Sequence, residues 1–249
     1  GGFTYWGGKD TSDVALTAYA LRFLNDASAK IEVDDQVIKR AEDWLIKQQR
    51  ADGSWTKLHR WETAEDAKRT KLTTSYVARS LAMRKNADST ALTKAFAYLR
   101  ARNAEIEEPY ALALLGLASY DAGDVETANT VAKRLETMEI AEGNAVYWQL
   151  ETNTPFYGWG TAGRIETTAL VTQLLIRSNS NSELISKAML FLLKNKDRYG
   201  VWHSTQTTIN VLDTFLAAMS ESKSGASQTL SLSVNRNNLP PIQVAADKI

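Results

Sequence analysis

The chain has 249 residues, 44% of them hydrophobic, enough for one large core or for a main domain with a small appendage. Lys+Arg and Asp+Glu balance at 29 each, so no basic surplus points to nucleic acid or an anionic membrane as a partner. The chain has no cysteine, which excludes a disulfide framework, a thiolate nucleophile and a Cys-based zinc site within it.

The chain opens on GGF, the first of four Gly-aromatic turns; the others are DGSW at 52–55, YGWG at 157–160 and YGVW at 199–202. No charged stretch followed by an apolar one opens the chain as a signal peptide would. Asp13–Leu24 then reads as a helix that is apolar or small nearly all the way round. Asp35–Arg50 is amphipathic, with Val37, Ile38, Ala41, Trp44 and Leu45 on one stripe and Asp34 or Asp35 as its N-cap. Leu72–Met83 returns to the apolar type with more Thr and Ser, and Ala91–Arg102 is one-sided again. Tyr110–Ala118 is the longest apolar run, far short of the roughly 20 residues a membrane-spanning helix needs. Glu126–Met138 is amphipathic, Ile165–Ile176 all-round apolar, Glu183–Asn195 amphipathic and Thr208–Met219 apolar. Beyond residue 223 the pattern changes: SQTLSLSV (227–234) alternates as a strand does, and IQVAA after Pro240-Pro241 suits a second one.

A helix that is hydrophobic on every side must be covered on every side. Strict alternation of such helices with one-sided ones predicts an all-α domain over 1–223: an α/α toroid, with parallel buried helices ringed by amphipathic ones. Each Gly-aromatic turn precedes a buried helix, so all four should lie at one end, the glycine allowing the reversal and the aromatic wedging outer helix against inner. The predicted helices are too few for a ring of about six pairs, and the opening GGF is itself a repeat element. The toroid is therefore expected to be incomplete at its N-terminus. Residues 224–249 are expected to form a linker and the first strands of an adjoining β-domain of the same polypeptide.

The string QQRADGSW resembles the repeat of terpenoid cyclases, whose fold relatives include protein prenyltransferases. Their chemistry does not carry over, because no DxDD acid occurs and there is no cysteine for the prenyltransferase zinc. A third member of that fold superfamily matches at more positions. LTAYALRFL (16–24), VDDQVIKRAEDWLIKQQRADGSW (33–55), VYWQLE (146–151), RIETTALVTQLL (164–175) and YGVWHSTQTTINVLDTFL (199–216) resemble, in order, segments of the thioester domain of the α2-macroglobulin and complement family. The resemblance implies a bacterial-type, exported protease inhibitor that captures target proteases by acyl transfer from an internal Cys–Gln thioester. That bond lies in a Cys-x-Glu-Gln string on the first helices of the family domain, and this chain does not contain it. The resemblance implies no cofactor and no metal, and an inhibitor-type domain in place of an enzyme.

His59, in the loop after Gly53-Ser54-Trp55, falls near the position of a family histidine that assists acyl transfer, and imidazole suits that task. Trp55, Trp159 and Trp202 in the turns, with Glu166 and Gln206 at inner-helix starts, are the candidate residues lining the same toroid end. Glu166 there compensates helix N-termini. In a toroid enzyme acting on isoprenoids or glycans, it would instead be an acid/base group, with Glu107-Glu108 as its partner. His203, before STQ, is expected to pack beside the last inner helix, with Ser204 or Thr205 as its N-cap.

Overall fold

A computed structural model describes residues 1–7, 11–56, 66–84, 89–221, 228–230, 233–234, 237–238 and 240–244. Among the described residues there are nine α-helices: α1 (Val14–Ser28), α2 (Asp35–Lys47), α3 (Ala67–Ala82), α4 (Ser89–Ala101), α5 (Pro109–Asp121), α6 (Val125–Glu136), α7 (Gly160–Arg177), α8 (Ser182–Lys194) and α9 (Thr205–Glu221). The odd-numbered helices pack against one another in succession, and each even-numbered one lies against its predecessor in the chain. This is the all-α toroid that the alternation predicts.

Short polar side chains start these helices. Asp13 accepts from the Leu16 amide at 2.8 Å, Asp34 from Gln36 at 2.9 Å, Asp66 from Lys68 at 2.8 Å and Asp124 from Thr127 at 3.1 Å. Each satisfies an amide that the first turn leaves without a partner, worth about 1 kcal/mol. Of the two predicted caps for α2, Asp34 is the one used. Inner helices α3 and α7 begin several residues earlier than their apolar runs, because their first turns carry Lys, Arg and Thr that solvent or a neighbouring loop can accept.

The hub is driest at α5, where Leu112, Leu114, Leu115 and Leu117 are all buried. Each contributes about 1.5–3 kcal/mol relative to exposure. Gly116 lets α5 and α7 approach: a Cβ there would sit 2.3 Å from a Leu174 methyl. Complete coverage fails at the two ends of the inner row. Phe23 on α1 is 60% exposed, and Leu216 and Met219 on α9 are 64% and 62% exposed. These two helices meet only partly, through Arg22 of α1, which is ion-paired to Asp213 and lies 3.4 Å from the Asn210 side-chain oxygen of α9.

Strands are few. β1 (Ile140–Glu142) and β2 (Ala145–Tyr147) form an antiparallel hairpin between α6 and α7, pairing Ile140 with Tyr147. In the tail, β3 (Gln228–Leu230) pairs with β6 (Ile242–Val244) and β4 (Ser233–Val234) with β5 (Asn237–Asn238), both antiparallel. Two strands were expected there; the described residues form two nested hairpins.

Candidate functional site

The turns that lead into inner helices share one hydrogen-bond pattern. The Trp55 amide donates to Thr74 Oγ1 on α3 at 3.0 Å, while its indole N–H donates to the Leu45 carbonyl at the end of α2 at 2.7 Å. Trp148 does the same with Thr168 and Leu135 (3.1 and 2.7 Å), and Trp202 with Thr208 and Leu192 (3.0 and 2.7 Å). The Phe3 amide donates to Thr17 Oγ1 at 2.9 Å, an aromatic without an indole making half of the pattern. Each tryptophan thus ties the last turn of an outer helix to a threonine of the next inner one. All three rings are buried.

One expectation changes. The tryptophan that wedges α6 against α7 is Trp148, from VYWQLE, and not Trp159 of YGWG. Trp159 precedes the first turn of α7 and is 75% exposed, because Trp148 already fills the space between the helices. The entry to α5, where the sequence has no Gly-aromatic turn, has no aromatic; Ile106 is buried there.

Trp159 instead borders a cleft of about 500 Å³ at the N-terminal ends of α7 and α9, together with Tyr157, Arg164, Glu166, His203 and Ser204. Its chemistry centres on Glu166, one turn into α7 and 1% exposed. Oε1 accepts the Thr207 hydroxyl of α9 at 3.0 Å, and Thr154 of the loop before α7 supplies a second side-chain hydrogen bond. The Gly158 amide in turn donates to Thr154 Oγ1 at 2.8 Å, and Ser204 Oγ lies 2.9 Å from Thr207 Oγ1. One carboxyl therefore organises loop, α7 and α9. Its other oxygen, Oε2, is buried and has no hydrogen-bond partner among the described residues. Burial lifts the Glu166 carboxyl from its ordinary 4.5 to about 7, and the Thr207 and Thr154 hydroxyls restrain that rise.

The backbone at this cleft is strained. Tyr157 has φ +62° and His203 φ +38°, in a region that bulky side chains avoid. Two of the three described non-glycine residues with positive φ thus flank one carboxyl. Such residues cost about 1–3 kcal/mol each and gather where function over-determines the structure.

The other candidates are dispersed. Trp55 and Trp202 are clasps in their own turns and lie outside the cleft lining, as does Gln206. Gln206 sits in the first turn of α9 with its buried amide nitrogen unpartnered, while Ser204 accepts from the Thr207 amide at 3.1 Å and caps the helix. His59 lies outside the described residues. Glu108 is not an acid/base partner for Glu166: its oxygens accept the Glu151 and Thr152 amides at 3.1 Å each, and it is a buried loop anchor. Glu107 is exposed and faces Lys68 at 3.5 Å. Thr154 and Thr207 are not singled out by the sequence, since nothing local distinguishes them from the chain's many other hydroxyls, and Tyr157 is marked only as part of the YGWG turn.

Two larger clefts, of about 610 and 620 Å³, lie at the opposite ends of the inner helices. Their charges already have partners: Arg79 and Arg177 both pair with Asp121, and Arg22 with Asp213. Asp121 Oδ2 and Arg84 Nη1 at the larger clefts make no hydrogen bond but are ion-paired to Arg79 and Glu42, whereas Glu166 Oε2 has neither kind of partner among the described residues, and that singles out the smaller cleft. Among the described residues no group of three His, Asp or Glu is arranged to hold a metal, and no helix is long and apolar enough to cross a membrane.

With fold and site in view, the comparisons with known proteins define the class. The family model of the A-macroglobulin TED domain matches residues 1–218, and the chain belongs to that family of thioester domains. Among solved structures it resembles Salmonella alpha-2-macroglobulin reacted with methylamine, at a TM-score of 0.60 and 21% identity, covering 99% of this chain and 15% of that one. At that identity the likeness speaks to the fold. The chain spans about 15% of the length of that protein.

Proposed function

We propose that this chain is a thioester-type domain of a larger, exported macroglobulin-like inhibitor that traps endopeptidases covalently. The observation that carries the reading is the family match over residues 1–218, on a helical toroid with the matching order of inner and outer helices. In this reading a protease that cleaves elsewhere in the parent exposes a Cys–Gln acyl group. A nucleophile on the protease then takes the acyl carbon while the cysteine thiolate leaves. The chain has no cysteine, so the acyl donor comes from another part of the parent polypeptide. His59 is the candidate for the imidazole that assists the transfer, and residues 224–249 for the linker and first strands of an adjoining β-domain. The parent would be extracellular or periplasmic, where the target proteases are.

The test uses the parent and the chain side by side. The intact parent, incubated with a panel of endopeptidases, should yield protease adducts that survive denaturation and disappear after methylamine pretreatment. The 249-residue chain should form none, and methylamine should add no mass to it. A parent that forms no adduct with any active protease, or a methylamine adduct on the chain alone, would refute the reading.

A further inference from the structure

The acyl transfer proposed above does not call on Glu166, yet the cleft is built around it. The carboxyl is 1% exposed: Oε1 accepts the Thr207 hydroxyl, Thr154 adds a side-chain hydrogen bond, and Oε2 is buried with no hydrogen-bond partner of its own among the described residues. An unsatisfied buried acceptor costs about 1–3 kcal/mol, and more when charged, so a donor arriving through the cleft relieves that cost. Nothing described in the cleft supplies it. Arg164, on the same helix, places its guanidinium over the Tyr147 ring, 5.4 Å from the centroid. Tyr76 on α3 and Tyr110 on α5, the groups facing Glu166 from the hub, are held protonated by their own burial.

We propose that this cleft is a binding site for a primary ammonium group on an aliphatic stem, with the free Glu166 oxygen as its anionic partner. The ligand must be cationic, because the floor is a carboxylate whose attraction is weakly screened. It is an ammonium because a guanidinium fork pairs with both carboxylate oxygens, and Oε1 is already committed to Thr207. The stem follows from the mouth, where Tyr157 and Trp159 are 46% and 75% exposed and offer aromatic faces to methylenes and to the cation. The strained Tyr157 and His203 backbones hold the two rims of this mouth in place. The site needs neither a thioester nor the parent protein. The ammonium is supplied either by a lysine side chain of another protein or by a free alkylamine.

Isothermal titration calorimetry of the 249-residue chain with butylamine, and separately with Nα-acetyl-lysine N-methylamide, tests this. Both probes are ammonium ions across pH 6–8, so the pH dependence reports the receptor. The ionised fraction of Glu166 falls from about nine-tenths at pH 8 to about one-tenth at pH 6, and affinity should weaken about tenfold. His203 is the other titratable side chain at the rim, and His203→Asn should leave that tenfold change intact. Glu166→Gln should abolish binding while its thermal melt shows a folded chain. Trp159→Ala, at an exposed position, should weaken binding at least threefold. Equal affinity for the two probes assigns the site to alkylamines at large, and tighter binding of the lysine derivative assigns it to protein lysines. Undiminished binding by Glu166→Gln, an affinity equal at pH 6 and 8, an unaffected Trp159→Ala, or no saturable heat from either probe overturns the proposal.

Discussion

Replacing Glu166 by glutamine should stabilise the protein, chiefly at high pH. The native carboxyl titrates near 7 and the unfolded one near 4.5, so between these values the native state holds a proton that the unfolded state has released. Stability contributed by the group is therefore full below about 4.5 and is lost as pH rises through 7. A difference of roughly 2.5 units corresponds to about 3 kcal/mol at 1.36 kcal/mol per unit. Glutamine keeps an oxygen for Thr207 and carries no charge at any pH. At pH 8 it should raise the unfolding free energy by about 3 kcal/mol, and at pH 5 by about 1 kcal/mol or less. Urea unfolding of both proteins at the two pH values, with equal m-values, measures the difference. A glutamine variant with the same effect at pH 5 and pH 8, or one that destabilises at pH 8, would show that the carboxyl is not buried as described.

Three further substitutions probe the frame around it. Trp202→Phe removes the indole donor from the buried Leu192 carbonyl, leaving it the 3.3 Å bond from the Asn195 amide, and should cost about 1 kcal/mol, read as a lower urea midpoint. Gly53→Ala places a Cβ 2.3 Å from the Lys94 carbonyl oxygen at φ +90°, and should destabilise by more than about 1 kcal/mol by the same assay. Arg79→Ala strips one of the two arginines from Asp121 in a buried network and should cost about 3 kcal/mol, the loss being nearly salt-independent because the pair is shielded from solvent.

The toroid was legible because its signal is repeated. YALALLGLA has no polar face to present to water, so α5 had to be central, and the one-sided pattern of 35–50 had to pack outside it. Where the ring stops, the same logic weakens: Leu216 and Met219 look as buried in the sequence as Leu115 does, yet they face solvent. The clasps were half legible. Trp55 and Trp202 carry a neighbouring glycine that marks the turn, whereas Trp148 follows a strand and has none, so the glycine of YGWG drew attention to Trp159 instead. Glu166 stood out as an acid in an apolar helix. Its environment did not, since Thr207 lies 41 residues away and reaches it only through the packing of α7 on α9. Clefts assembled from separate loops leave no local period to read.

A desolvated, half-satisfied carboxyl floors the mouth at the N-terminal ends of α7 and α9. A carbon-detected NMR titration of the Glu166 side-chain carboxyl in the intact chain reads its ionisation. The midpoint should lie near 7 and fall when butylamine is added. A midpoint at the ordinary 4.5, unmoved by the amine, would contradict it.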